Sequence, residues 1–146
     1  MSQNRMPVVY VAGPYRAKSQ AGIEMNITAA KHIGLLAIRK GWAPIIPHAN
    51  TQGLDLCDPT ISDEFWLAAT MVLMRRCDAV VLVPGWEASS GTLAEIEEAQ
   101  LLGIPVLKDI SSLPHGNTFN EWMAERVRVA SCLGIPLSTL DAVTRQ

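Results

Sequence analysis

The chain has 146 residues, 49% of them hydrophobic and 18% charged, with a net charge of −2 and a pI near 5.9. A chain of this size buries roughly 70% of its unfolded surface and needs no disulfide or metal to fold. The balance excludes a disordered tail, and it excludes the basic face that nucleic acid or an anionic membrane would require.

Residues 1–6 are polar, carry Asn4 and Arg5, and hold no secretory apolar region. No apolar run reaches ~18 residues, so the expectation is a cytoplasmic protein that neither spans nor crosses a membrane. Pro7 to Ala12 reads as a strand, ended by Gly13-Pro14. From Ile23 to Lys40, Ile27, Ala30, Ile33 or Gly34, and Ala37 recur at helical spacing, with Gly41 as the stop. Trp42 to Ile46 is a second strand, ended by Pro47, and Thr51 to Thr60 reads as a loop. Ser62-Asp63-Glu64 opens a helix that Arg75-Arg76 closes, since acids suit the first turn and bases the last. Asp78 to Val83 is the most strand-like run, and the unbroken apolar succession Val80, Val81, Leu82 and Val83 fits a strand buried on both faces. After Pro84-Gly85-Trp86 come a helix from about Thr92 to Leu102 and a fourth strand at Ile104 to Leu107. Following a polar loop at 111–117, a last helix spans Phe119 to Leu133, with room for a short fifth strand near Ile135.

This order predicts one α/β domain over 1–146, with a core at about 7–108 and a helical segment at about 117–133. The fold class is a doubly wound, mostly parallel sheet of four to five strands with helices on both faces, Rossmann/flavodoxin-like. Ligands of such sheets sit outside the carboxyl ends of the strands. That rule selects the segments Gly13-Pro14-Tyr15-Arg16, Pro47-His48-Ala49-Asn50, Pro84 to Thr92, and Lys108-Asp109.

Gly13 follows the first strand and would let backbone approach a ligand, while Arg16 could grip a phosphate or carboxylate. The same residues also describe a plain tight turn. Neither a dinucleotide fingerprint nor a P-loop is present. Ser89-Ser90-Gly91 precede a helix start, which is an anion site in waiting. Glu95 falls on the edge of the buried face of that helix, as either a catalyst or the partner of Thr92 in a capping box. Asp78 is either a functional acid or a strand-start acid bonded to backbone N–H groups. His48 could bond a ligand or close its turn, Asn26 could reach back to the Gly13 loop, and Trp86 could cover an aromatic ligand or pack under its own loop. Met71, Met74 and Met123 read as core. Cys57, Cys77 and Cys132 form no CxxC pair and read as small buried or half-buried thiols in a reducing cytosol. No metal site and no cofactor is expected.

Taken together, Tyr10-Val-Ala-Gly13-Pro-Tyr-Arg16, Asn26-Ile27, Pro47-His48, and the block from Cys77-Asp78 to Glu95-xxx-Ala99 with Gly103-Ile-Pro-Val resemble one family. It is the nucleoside 2-deoxyribosyltransferase-like superfamily, which includes 2'-deoxynucleoside 5'-monophosphate N-hydrolases and small uncharacterised bacterial and phage relatives. The resemblance covers roughly residues 8–108. It implies that Glu95 is a nucleophile on the anomeric carbon in a retaining cleavage of an N-glycosidic bond, with Tyr10 beside it. It implies that Gly13 to Arg16 and Ser89 to Gly91 hold a 5'-phosphate. It further implies a homo-oligomer, with which the apolar residues Trp122, Met123, Val127 and Val129 are compatible. The chain departs from the family at Thr70, where an aspartate is expected; a threonine cannot act as a general acid near neutral pH. Asp78, water or a neighbouring subunit would then protonate the leaving base. The expected function is release of free base from a (deoxy)nucleoside 5'-monophosphate. Base exchange between deoxynucleosides and a catalytically weak nucleotide-binding module are the alternatives.

Overall fold

The computed structural model describes residues 5–143, with side chains through Leu140. The segment Met1 to Asn4, read above as part of a leaderless terminus, lies outside the described residues. In chain order the elements are β1 (Val8–Ala12), α1 (Gln20–Arg39), β2 (Ala43–Ile45), α2 (Pro47–Asn50), α3 (Leu54–Cys57), α4 (Asp63–Met74), β3 (Ala79–Leu82), α5 (Ser90–Leu101), β4 (Val106–Leu107), α6 (Phe119–Leu133) and α7 (Leu137–Val143). The four strands form one sheet in the order β2-β1-β3-β4, and every pairing is parallel.

Strand residues alternate between two cores because successive side chains leave a strand on opposite faces. Val9, Val11, Val81 and Val83 join Ala30, Ile33 and Ala37 of α1 and Phe119 of α6. Tyr10, Ala12, Val80 and Leu82 join Met74 of α4 and Ala99 of α5. Both faces of the central strands are therefore covered, which is why β3 needs no polar residue. The register sets Tyr10 beside Val80 and Ala12 beside Leu82, so β1 and β3 end together.

Caps fix the helix starts that matter. The Ser19 hydroxyl accepts from Gly22 N (3.1 Å) to start α1, and the Ser62 hydroxyl accepts from Phe65 N (3.2 Å) to start α4. At the far end of α1, Gly41 takes a left-handed φ of 86°. Lys40 Nζ there donates to three carbonyls, of Ile110 (2.8 Å), Ser111 (3.2 Å) and Leu113 (2.6 Å). Trp42 Nε1 donates to the Pro114 carbonyl (2.7 Å), and Gly116 N donates to the Lys40 carbonyl (2.7 Å). A Cβ on Gly116 would stand 2.3 Å from the Gly41 oxygen, so only glycine fits this contact.

Several expectations change. Among the described residues there is no fifth strand near Ile135; the chain turns there, from α6 into α7. The predicted loop at 51–60 contains α3, and α2 precedes it. On α6, Trp122 and Met123 pack on the chain's own core, while Val127 is exposed. On α4, Met74 alone is fully buried, and Phe65, Leu67 and Val72 are exposed. Cys77 is buried, but Cys57 and Cys132 are exposed. No helix among the described residues is long and apolar enough to cross a membrane.

Asp78 immediately precedes β3, at its amino end. Its Oδ2 accepts from Val8 N (2.8 Å), and its Oδ1 accepts from Arg5 (2.9 Å). It ties the starts of β1 and β3 together. Asp78→Ala removes the acceptor for a part-buried backbone N–H and is expected to cost about 1–3 kcal/mol. Denaturant unfolding measures that loss, and Asp78→Asn, which keeps an acceptor, should recover most of it.

Candidate functional site

The carboxyl ends of β1 and β3 flank the point where the strand order reverses, β2 lying to one side of β1 and β3 to the other. A cleft of about 560 Å³ opens there, within the range of small-molecule sites. Its walls are the turn Gly13–Arg16, Pro47, His48, Thr51 and Asp55 after β2, Asp63, Trp66, Leu67 and Thr70 of α4, and Ala88 to Thr92 with Glu95.

The turn after β1 is braced from three sides. A Cβ on Gly13 would stand 2.5 Å from the Val83 Cβ. This glycine is therefore required by packing between the two strand ends, whereas its sequence context had pointed to ligand approach. His48 Nε2 donates to the carbonyls of Gly13 (2.8 Å) and Pro14 (3.1 Å). Burial pushes the His48 pKa down despite those bonds, so the ring is neutral and Nδ1 is its acceptor. The Tyr15 ring leans on His48, with centroids 5.3 Å apart. Asn26 Nδ2 donates back to the Tyr15 carbonyl (3.0 Å), as its position on α1 had indicated. Burial, followed by the charge of Asp55, raises the Tyr15 phenol. Arg16 forms an ion pair with Asp63, joining the turn to the first residue of α4.

The opposite wall is a helix start. The Ser89 hydroxyl caps α5, accepting from Thr92 N (3.3 Å) and from the Thr92 hydroxyl (2.9 Å). The first-turn N–H groups of Ser90 and Gly91 have no acceptor within the helix. The capping box anticipated at Thr92 and Glu95 does not form, because the cap lies three residues earlier. Glu95 is then a mid-helix residue, only 7% exposed, and its Oε2 has no hydrogen-bond partner. The Tyr10 hydroxyl is also buried without a partner. Burial pushes the Glu95 carboxyl up to about 7, and the neighbouring Tyr10 hydroxyl opposes this. Tyr10 is raised in turn, first by burial and then by the charge of Glu95. A neutral phenol and a carboxyl poised near neutrality thus lie side by side.

Gly13, Pro14, Tyr15, Arg16, His48, Ser89, Ser90, Gly91 and Glu95 all line the cleft. Tyr10 lies buried next to Glu95, and Asn26 holds the turn from behind. Two predicted residues are not brought there. Asp78 is at the opposite end of β3. Trp86 packs against the second core, with Lys108 Nζ 5.9 Å from its ring. The tryptophan on the cleft is Trp66. Asp55 and Thr51 were missed because their segment carries no periodic signal. Thr70 lines the cleft, its hydroxyl donating to the Leu67 carbonyl (2.9 Å). Among the described residues, no group of three or more His, Cys, Asp or Glu side chains could hold a metal ion.

A family model described as a domain of unknown function, DUF7768, matches residues 7–109. The chain belongs to this family. The DUF7768 span contains all four strands and every wall of the cleft, while α6 and α7 lie beyond it. No curated protein matches the chain.

The buried carboxyl has a measurable cost. Glu95 ionises near 4.5 when unfolded and at about 7 when folded, so the folded state holds its proton more tightly. Stability from this group is fully present below about pH 4.5, falls between the two values, and is lost above about pH 7. Glu95→Gln is therefore expected to stabilise the protein at pH 8 by up to about 3 kcal/mol and to change little at pH 4. Denaturation midpoints at the two pH values provide the comparison.

Proposed function

We propose that this protein cleaves the N-glycosidic bond of a (deoxy)nucleoside 5'-monophosphate, with Glu95 as nucleophile. The reading rests above all on the buried Glu95 carboxyl lining the cleft, one oxygen of which has no hydrogen-bond partner. Such a group is costly to a fold and is the kind of group that a reaction uses. In this reading Glu95 attacks C1' as the bond to the base breaks, and the bonding electrons leave with the base. Water then attacks C1', releases the sugar phosphate with retained configuration, and frees Glu95. The neighbouring Tyr10 hydroxyl favours the ionised carboxylate. The free N–H groups of Ser90 and Gly91, with Arg16, receive the phosphate. Asp55 and Asp63 are the other carboxylates of the cleft; Asp63 is paired with Arg16, which leaves Asp55 as the group available to a departing base, since Thr70 offers no acid.

The wider assignment follows the same line. The strand order, reversing between β1 and β3, supports a doubly wound, Rossmann/flavodoxin-like sheet. The cleft residues support membership of the nucleoside 2-deoxyribosyltransferase-like superfamily. The exposed apolar side of α4 supports a homo-oligomer. The free thiols suit a reducing cytoplasm. Thr70, with its hydroxyl turned to its own helix, favours a second reading: a nucleotide-binding module with little turnover.

Incubation with nucleoside and deoxynucleoside monophosphates, followed by chromatography for free base, tests the proposal. Base release that is abolished in Glu95→Gln is expected, rising with pH through about 7 as Glu95 ionises. Release only in the presence of an acceptor base would mean exchange. A raised melting temperature with monophosphates and no release would mean a binding module. Arg16→Ala is expected to weaken monophosphates about tenfold and to leave free nucleosides unchanged, because a charge-assisted bond to phosphate is lost. Titration calorimetry reads that difference.

A further inference from the structure

Asp63 has two roles in the geometry. It is the first residue of α4, where a carboxylate complements the helix dipole. It also lines the cleft and forms an ion pair with Arg16. Among the described residues lining the cleft, Arg16 is the only arginine or lysine. The group best suited to receive an anion is thus already paired with one, and that anion belongs to the protein. The pair joins two walls of the cleft, the turn after β1 and the start of α4.

We propose that Asp63 is a built-in competitor for the anion site: its carboxylate occupies the Arg16 guanidinium, the group that would favour phosphorylated over neutral ligands, until a phosphate displaces it. The proposal rests on the reading of the cleft as a nucleotide site. The exchange is favourable for simple reasons. Both side chains are about two-thirds exposed or more, at 68% and 72%, so water screens the pair. An exposed pair of this kind contributes at most about fivefold to an equilibrium. A phosphate dianion carries more charge than a carboxylate and matches the planar guanidinium with paired bonds. It therefore outcompetes Asp63. A free nucleoside brings no anion, leaves the bridge in place, and gains nothing from Arg16. Asp63 lowers the affinity for the phosphate slightly, and in return it prevents an unpaired arginine from capturing any passing small carboxylate.

The test is a set of binding titrations with the four common deoxynucleoside 5'-monophosphates and the four free deoxynucleosides. Asp63→Asn is expected to tighten the monophosphates by about three- to fivefold and to leave the nucleosides unchanged. In an Arg16→Ala background the same substitution is expected to have no effect, because nothing is left to release. Glu64→Gln removes the same charge from the same helix turn and is expected to change neither ligand class, which separates release of Arg16 from a general change in field. Unchanged or weakened monophosphate binding in Asp63→Asn overturns the proposal. So does tightening that persists without Arg16, tightening that Glu64→Gln reproduces, or failure of every monophosphate to bind. Base release is scored separately. Selective tightening without any release would refute the catalytic reading and keep the role of Asp63, and release with no selective tightening would do the reverse.

Discussion

Desolvation of one carboxyl group governs the middle of this protein. Glu95 is buried in α5 with an oxygen that bonds to nothing, next to a phenol in the same condition. The dipole of α5 does little to relieve this, because its field falls off within the first turn and Ser89 sets that turn too early to include Glu95. The carboxyl therefore titrates near neutrality rather than at its usual value. The neighbouring structure serves to keep it there. Ala99 and Thr92 bury the same face of α5, Tyr10 comes up from β1, and parallel pairing holds β1 against β3 so that both ends arrive together. The fold carries a standing cost at this position, and that cost points to chemistry.

The cleft around Glu95 has two electrostatic characters. The N–H groups at the start of α5 and the Arg16 guanidinium on the facing turn suit an anion. Asp55 and His48, whose Nε2 proton is committed to backbone carbonyls, do not. An extended ligand with one anionic end fits this polarity in a single orientation. In the proposed reading the same few groups set binding and orientation, so a chain of net charge −2 needs no basic surface to hold a phosphate.

Much of this was legible in the sequence. The apolar run from Val80 to Val83 announced a doubly buried strand, and glycine or proline after each of the first three strands marked where the cleft would open. The apolar column of α5 located Glu95. The four-residue helices α2 and α3 were illegible because one turn has no period to detect, and Asp55 was lost with them. Asp78 had two readings, and the structure gives the second: it precedes its strand and accepts from Val8 N, at the end away from the cleft. Trp86 had been read as either a cover for a ligand or a residue packed under its own loop, and Trp66 lines the cleft instead, because side-chain direction depends on packing that no local pattern encodes. Asp63 read as a helix-start acid and is one; its ion pair joins residues 47 positions apart and leaves no trace in spacing.

The tether at Lys40 bears on how the chain is put together. Its ammonium gathers three carbonyls from a segment just past residue 109, where the family match ends. That segment and the helix after it deliver Leu113 and Phe119 to the core beneath β1 and β3. The matched span thus carries the sheet, α1 and the whole cleft, and the C-terminal quarter of the chain completes the core on the α1 side, anchored to one amine and the Gly41–Gly116 contact. Substitutions in that quarter act on the core behind the sheet and leave every wall of the cleft in place.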